Sequence, residues 1–219
     1  MYFLPISIAI FFVFLFLVPF LIFLVPAVAF AKLGLSPVAG LFFFWFSLTG
    51  SMINLPVHRR KLEYYIEPDD MTMLFNRFFD LKIPTFQGEQ VIALNLGGAI
   101  LPGLLSLYLL SGTNLSSVLL ATIVTTAFSY YLSKPVKGIG IVIPAFLPAI
   151  IAAIAALLFA EKGSAPAVAY ISGVMGTLIG ADLLRLRQIK RFGVSFLSIG
   201  GAGVFDGIFI VGIMSVLLA

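Results

Sequence analysis

Residues 2–31 form an unbroken run without a charged side chain, rich in phenylalanine and leucine. A membrane-spanning helix needs about 20 mostly apolar residues, so this run is long enough to cross a bilayer. No basic residue precedes it, which favours a retained helix over a cleaved signal peptide. The whole chain is 61% apolar and 10% charged, against about 45–50% and about 25% in soluble domains. These values exclude a soluble enzyme, a disordered tail and a nucleic-acid module, and they predict an integral membrane protein.

Seven apolar segments are candidates for transmembrane helices. They are the spans 2–31, 36–55, 91–110, 115–132, 139–160, 165–184 and 193–219. The sequence therefore predicts an all-α, polytopic membrane protein of about seven transmembrane helices, with residues 1–219 as a single transmembrane domain. The one sizeable polar segment, residues 56–90, is expected to be a cytoplasmic connector on the lipid headgroups or, alternatively, a flap over a cytoplasmic cavity.

The lysines and arginines predict the orientation of the spans. With seven spans, Lys32 and Lys162 fall on one side of the membrane, and the other 11 of the 13 basic residues fall on the opposite side. Cytoplasmic loops are enriched in lysine and arginine, so the side with eleven is expected to be cytoplasmic. The N-terminus is then cytoplasmic and the C-terminus extracytoplasmic.

The sequence offers few groups for metal or cofactor chemistry. It contains no cysteine, and His58 is its single histidine. Disulfides, thiolate metal sites and a Ser-His-Asp triad are therefore not expected, and neither is a cofactor. The net charge of +4 is interpreted as a topology signal and as contact with the lipid bilayer, and not as nucleic-acid binding.

Two carboxylates, Asp182 and Asp206, fall inside the predicted spans, and no basic residue lies deep in any span to neutralise them. A charge at the bilayer centre costs at least about 2.5–3.5 kcal/mol, so intramembrane acids are candidates for function. Two carboxylates at one depth on adjacent helices can share a proton, which is the arrangement of an aspartic protease. Asp182 and Asp206 are therefore the candidate catalytic residues.

The depth of Asp206 decides whether the two acids can meet. In a helix continuous from Gly193, Asp206 would lie about 20 Å deep, whereas Asp182 would lie only about 5 Å deep. The glycines that precede Asp206 predict instead a break or re-entrant segment, followed by a last helix that starts near Gly201. Such a break brings Asp206 to a depth close to that of Asp182.

Glycine, asparagine and proline residues in the spans are expected to support the two acids or to line a cavity around them. Such residues kink helices and free backbone polar groups. The candidates are Gly180, Gly201, Gly203, Gly207, Asn54, Asn95, Pro144 and Pro148. Close helix packing is the alternative explanation for them. The two acids also have structural alternatives: Asp182 can pair with Arg185 along the helix, and Asp206 can cap the helix that follows it.

Four motifs resemble those of an uncharacterised multi-spanning membrane protein family of archaea and bacteria. They are GADLL at residues 180–184, IGGAGVFDGIF at 199–209, NLP at 54–56 and NLGG at 95–98. The resemblance covers nearly the whole chain, and it implies a membrane protein without implying an activity.

The layout of the two acids also resembles that of the GxGD intramembrane aspartyl proteases, which include presenilin, signal peptide peptidase and prepilin peptidases. In the presenilin type, one catalytic Asp lies on a helix that runs towards the cytoplasm, and the next helix carries the GxGD Asp outward. The predicted topology gives Asp182 and Asp206 these directions. Three features depart from that pattern: Phe205 stands where GxGD has glycine, Ala181 stands where presenilin has tyrosine, and the proline-containing stretch 144–148 precedes the acids.

Three functions are compatible with these features. The leading hypothesis is an intramembrane aspartic peptidase that cuts membrane or leader peptides with Asp182 and Asp206. The second is a small proton- or cation-coupled transporter or channel in which the two acids line the pathway. The third is a non-catalytic membrane scaffold in which both acids are structural.

Overall fold

The structure, a computed structural model, describes residues 6–64, 86–136, 140–189, 196–201 and 207–219. Residues 65–85 of the predicted connector lie outside these ranges, as do Gly203 and Asp206.

Helices make up most of the described chain. In chain order they are α1 (Ile6–Lys32), α2 (Pro37–Gly50), α3 (Leu101–Leu110), α4 (Leu115–Leu132), α5 (Phe146–Phe159), α6 (Ala165–Thr177), α7 (Leu186–Ile189) and α8 (Gly207–Leu218). Two π-helical segments adjoin them: π1 (Leu96–Ile100) leads into α3, and π2 (Leu178–Leu183) continues α6.

Three helical segments are long and apolar enough to cross a membrane: Ile10–Lys32, Leu115–Leu132 and Ala165–Leu183. They are consistent with the predicted membrane protein. The helices in the other four predicted spans are apolar but shorter. For example, α8 has 12 residues, which make a helix of about 18 Å against a hydrocarbon core of about 30 Å.

The structure also contains strands, so the expectation of a purely all-α fold is wrong. Strands β1 (Asn54–Tyr64) and β2 (Phe86–Asn95) are antiparallel, and β5 (Phe196–Ile199) pairs in parallel with β2 in the order β1-β2-β5. A separate antiparallel pair consists of β3 (Lys134–Val136) and β4 (Gly140–Val142). The described residues of the predicted connector, 56–64 and 86–90, thus all belong to the antiparallel pair of β1 and β2.

The three-stranded sheet explains why the third predicted span starts too early. Residues 91–95 were expected to be helical, but they belong to β2. A short apolar run does not distinguish a strand from a buried helix by its periodicity. Ile92 packs in a small core with Leu197 and Ile199 of β5. The apolar side chains of this run therefore serve a sheet core.

The chain enters its last helix through a break. Strand β5 is followed by Gly200 and Gly201, which both have positive φ, and α8 begins at Gly207. A helix continuous from Gly193 is therefore excluded, in agreement with the expected glycine break. Gly201 itself adopts a left-handed conformation, and the described part of the last helix begins at Gly207.

Helix α6 lies at the centre of the bundle and packs against α3, α4, α5 and α8. In an 18-residue stretch of the span Ala165–Leu183, 61% of the residues are buried, against 6% in an 18-residue stretch of the span Ile10–Lys32 of α1. Helix α1 exposes large apolar side chains along most of its length, such as Phe16 at 71%. We infer that α6 organises the fold, whereas α1 presents a surface suited to lipid.

Candidate functional site

Asp182 lies in π2, at the end of the central helix. Its Oδ2 accepts a hydrogen bond of 2.8 Å from the backbone N–H of Gly200, the residue after strand β5. Its Oδ1 has no hydrogen-bond partner among the residues that the structure describes. The carboxylate therefore joins the central helix to the beginning of the glycine-rich segment.

Arg185 is not the partner of Asp182 in the described structure, so the i,i+3 ion pair, the structural alternative for Asp182, does not form there. The Arg185 guanidinium stacks on the ring of Tyr130, with 4.1 Å between Cζ and the ring centroid. It donates to the Tyr130 carbonyl oxygen at 2.7 Å, to Ser133 Oγ at 3.2 Å and to Gln188 Oε1 at 2.9 Å. These contacts hold Arg185 against the end of α4. The hydrogen-bond partner of Asp182 is therefore the backbone N–H of Gly200 and not Arg185.

Gly180 sets the position of π2 against α4. A Cβ atom at Gly180 would lie 2.4 Å from the carbonyl oxygen of Thr126 and 2.9 Å from Ser129 Cβ. The backbones of π2 and α4 can approach this closely only because the residue has no side chain. Gly180 thus supports the site through packing, which is the alternative that the sequence left open for it.

Asn54 and Asn95 face each other where β1 and β2 meet the helices, and they form a polar network. The Asn95 Nδ2 donates to the Ser51 carbonyl oxygen at 2.6 Å and to Asn54 Oδ1 at 3.1 Å, and Asn95 Oδ1 accepts from the Gly98 N–H at 2.8 Å. Asn54 Oδ1 also accepts from the Ser198 hydroxyl. Asn95 is fully buried, so this network fixes the junction of α2, π1 and β5.

Gly200 connects Asp182 with the polar network around Asn95. It follows Ile199, which is paired with Leu94, the residue before Asn95. Its φ of 83° suits glycine, and a Cβ atom there would lie only 2.5 Å from Ala99 Cβ in π1. A side chain at this position would therefore be strained in its backbone and would also collide with π1.

Helices α6 and α8 pack against each other in an antiparallel register. Ser215 Oγ donates to the Ala169 carbonyl oxygen at 3.0 Å, and a Cβ at Gly173 would lie 3.3 Å from Val211 Cγ1. Moving four residues towards the N-terminus of α8, from Ser215 to Val211, thus corresponds to moving four residues towards the C-terminus of α6, from Ala169 to Gly173. Extended by one more turn, this register makes the start of α8, at Gly207, level with Thr177 near the beginning of π2.

The remaining predicted site residues are not brought to Asp182 by any described contact. Gly207 is the first residue of α8, Pro144 is exposed ahead of α5, and Pro148 is buried within α5. Asp206 and Gly203 lie outside the described residues. Among the described residues, no group of three or more His, Asp or Glu side chains could hold a metal ion.

Sequence reasoning missed Ser198 and Gly200, although both belong to this site. Ser198 bonds to Asn54, and Gly200 bonds to Asp182. Serine in an apolar run gives no signal of its own, because it is equally common where helices pack. Gly200 could have been chosen over its neighbours only with knowledge that a strand ends there.

Comparison with known proteins places the chain in context. A family model described as protein of unknown function (DUF1614) matches residues 48–218. The match includes the sheet, both π-helical segments and the Asp182 site, and it leaves out α1 and most of α2. No curated protein and no solved structure matches the chain.

Proposed function

The chain belongs to the DUF1614 family of proteins of unknown function, and we propose that it is an intramembrane aspartic peptidase with Asp182 and Asp206 as its catalytic pair. Its substrates in this proposal are membrane or leader peptides that reach the site from the cytoplasmic side. The N-terminus is cytoplasmic and the C-terminus extracytoplasmic, because lysine and arginine are concentrated in the loops near Asp182.

The antiparallel register of α6 and α8 is the observation that carries this proposal. Asp206 directly precedes Gly207, which is level with Thr177, and Asp182 lies little more than one turn further along the central helix. At 1.5 Å per residue, the level of Gly207 is then about 8 Å from that of Asp182, and the proposal requires Asp206, the residue before Gly207, to lie at a similar depth. On neighbouring helices, such an offset allows two carboxyl groups to approach each other.

The bond between Asp182 and Gly200 supports the same pairing from the other end of the segment. The segment starts at Gly200, whose backbone N–H lies 2.8 Å from Asp182 Oδ2. It ends at Gly207, the first described residue of α8 and the one directly after Asp206. Both ends of this short segment therefore lie beside the end of α6. A carboxylate whose one oxygen is held by a backbone N–H also keeps its orientation while the other oxygen reacts.

The chemistry needs only the two carboxyl groups and water. The ionised carboxylate accepts a proton from water while the water oxygen attacks the peptide carbonyl carbon, and the protonated carboxyl group donates its proton to the carbonyl oxygen. The tetrahedral intermediate then collapses: the C–N bond breaks, the leaving nitrogen takes up the proton that was accepted from water, and one hydroxyl of the intermediate returns a proton to the carboxylate that had protonated the carbonyl oxygen. One water molecule is consumed for each bond cleaved.

A proton- or cation-coupled transporter is a second candidate, and a different observation favours it. The hydroxyls of Thr122, Ser129 and Thr177 are buried without a hydrogen-bond partner in the described part of the chain. Such groups can bind water or an ion inside a membrane protein. In a transporter, Asp182 and Asp206 line a pathway and need not touch each other.

The test is a cleavage assay with the purified full chain in proteoliposomes that contain fluorogenic single-span peptides. The wild type is expected to cleave at least one of these peptides, and Asp182→Asn and Asp206→Asn to lose activity by at least about a thousandfold. The amide introduced by Asp182→Asn retains an oxygen for the Gly200 N–H, so this variant is expected to fold. Glu89→Gln, which changes an exposed carboxylate of β2, serves as the matched control and should retain full activity.

Two outcomes would overturn the proposal that the chain is a peptidase. One is cleavage by Asp182→Asn at the wild-type rate, and the other is a folded wild type that cleaves none of the peptides. Proton flux into dye-loaded liposomes that disappears in both aspartate variants, without any cleavage, would establish the transporter in its place.

A further inference from the structure

A polar cavity of about 610 Å³ lies at the end of the bundle opposite Asp182. It opens where α1 and α3 end and where α6 begins. The polar side chains that line it include Lys32, Tyr108, Thr113, Glu161, Lys162 and Ser164. The central helix and π2 separate this cavity from Asp182 by more than 20 Å, because about 15 residues at 1.5 Å each lie between them. The cavity is therefore independent of the site proposed for catalysis.

The charged groups of this end converge on the one cavity. Lys32 is the last residue of α1, whereas Glu161 and Lys162 are neighbours in the connection between α5 and α6, yet all three line it. The other charged side chains that the structure describes belong to the strands, to π2 and to the segment after π2, at the Asp182 end. Two ammonium groups and one carboxylate thus share a single space, next to helices that are otherwise apolar.

Two of these charged groups are held in place by other parts of the fold. Lys32 Nζ donates to the carbonyl oxygen of Leu217 at 3.2 Å, at the C-terminal end of α8. Glu161 Oε1 accepts from Asn114 Nδ2 at 2.6 Å. Lys162 has no partner among the described residues and is exposed. The cavity therefore presents a fixed carboxylate, a fixed ammonium and a free ammonium.

The position of the cavity favours a lipid as its occupant. Apolar spans α1 and α6 end and begin at its rim, where a bilayer changes from hydrocarbon to headgroups. Tyr108, on the same rim, is 65% exposed, and tyrosine is enriched at membrane interfaces. A headgroup in the cavity can keep its acyl chains beside the exposed apolar faces of the neighbouring helices.

We propose that this cavity binds a phospholipid headgroup that carries both a phosphate and a primary ammonium, as in phosphatidylethanolamine. The lysine ammonium groups complement the phosphate, and the Glu161 carboxylate complements the ammonium. A primary ammonium donates hydrogen bonds to a carboxylate, whereas the trimethylammonium of phosphatidylcholine has no N–H to donate. Phosphatidylglycerol lacks the cation altogether. The charge pattern of the cavity thus favours the ethanolamine headgroup over the choline and glycerol headgroups.

Lipid retention measured by native mass spectrometry tests this proposal. The full chain is purified in detergent with equal amounts of phosphatidylethanolamine, phosphatidylcholine and phosphatidylglycerol. The wild type is expected to retain phosphatidylethanolamine at least threefold over each of the others. Lys162→Ala is expected to reduce this retention about threefold to tenfold. Lys134→Ala, which removes an exposed lysine at the other end, is the matched control and should retain lipid as the wild type does.

A charge-selective variant sharpens the test. Glu161→Gln keeps an oxygen for the Asn114 amide but removes the negative charge. It is expected to lose the preference for phosphatidylethanolamine over phosphatidylglycerol while still binding phosphate-containing lipids. Adding soluble glycerophosphoethanolamine distinguishes a free headgroup from a whole lipid as the ligand. If millimolar glycerophosphoethanolamine displaces the bound phosphatidylethanolamine, the headgroup alone is sufficient for binding.

Equal retention of the three lipids by the wild type would overturn the proposal. So would unchanged selectivity in both Lys162→Ala and Glu161→Gln, provided that circular dichroism shows both variants to be folded. In either case the two lysines would only mark the membrane boundary.

Discussion

The two ends of the central helix differ in how far their polar side chains are buried. Near Asp182, the side chains bond to fixed backbone atoms: Asn95 is fully buried and bonds to Ser51 and Gly98, and Asp182 bonds to Gly200. At the other end, the charged side chains that line the polar cavity are exposed and surround an open space. The first end is built to keep its groups in one geometry, and the second is built to accept a group from outside.

This difference suggests what each end can do. Catalysis by two carboxyl groups requires side chains held within a fraction of an ångström by their surroundings, and buried networks provide that. A lipid headgroup is flexible and already hydrated, so an exposed and partly open cavity can bind it without such precision. Substitutions at the two ends are therefore expected to change the free energy of unfolding by different amounts.

The largest effect is expected for Asn95→Ala, which leaves the Ser51 carbonyl and the Gly98 N–H buried without partners. This variant should lower the free energy of unfolding by about 3 kcal/mol. Asn114→Ala is its counterpart at the other end, where an exposed helix cap is removed from α4, and it should cost about 1 kcal/mol. Denaturant titration in mixed micelles measures both values. Equal losses would contradict the distinction between the two ends.

Gly180→Ala is expected to destabilise the protein by about 2 kcal/mol, because the added methyl group meets the Thr126 carbonyl oxygen and forces π2 away from α4. The control is Gly103→Ala in α3, where a Cβ atom would meet nothing within 4 Å. That change should stabilise the helix by about 0.5–1 kcal/mol. Thermal melts of the two variants in one detergent give the comparison, and a Gly180→Ala protein as stable as the wild type would show that the packing adapts.

Among the test substitutions, the smallest effect is expected for Lys32→Ala, which removes an ammonium from the carbonyl oxygens at the C-terminal end of α8. An exposed cation at a helix C-terminus contributes about 0.3–1 kcal/mol, and high salt reduces that contribution. Lys134→Ala should change stability by less, because Lys134 is exposed and has no contact of this kind in the described part of the chain. A loss above about 2 kcal/mol for Lys32→Ala would mean that this end, too, is held rigidly.

Much of the helical fold was predictable from charge and hydropathy. The scarcity of charge predicted membrane helices, and the glycines before Asp206 predicted a break ahead of the last helix. Both predictions rest on strong local physics, since a lipid environment excludes charges and glycine permits a positive φ. The match of the family model to residues 48–218 also agrees with the resemblance to an uncharacterised family.

The strands and the partner of Asp182 were not predictable in the same way. Residues 91–95 are apolar whether they lie in lipid or in a sheet core, so their hydropathy does not distinguish the two. Asp182 and Arg185 have the spacing of a helical ion pair, but π2 changes the helical turn, and Tyr130 and Ser133 compete for the guanidinium. Pairings with backbone atoms, such as the Gly200 N–H, leave no mark in the sequence.

The most direct measurement is thiol cross-linking between positions 182 and 206. The chain contains no cysteine, so the double variant Asp182→Cys/Asp206→Cys carries the only two thiols. The account predicts rapid bridging by the shortest bifunctional thiol reagent in membranes. The pair Asp182→Cys/Lys162→Cys, at opposite ends of a helical segment about 27 Å long, should stay unbridged. Failure of the 182–206 pair to cross-link in folded protein would contradict the catalytic pair.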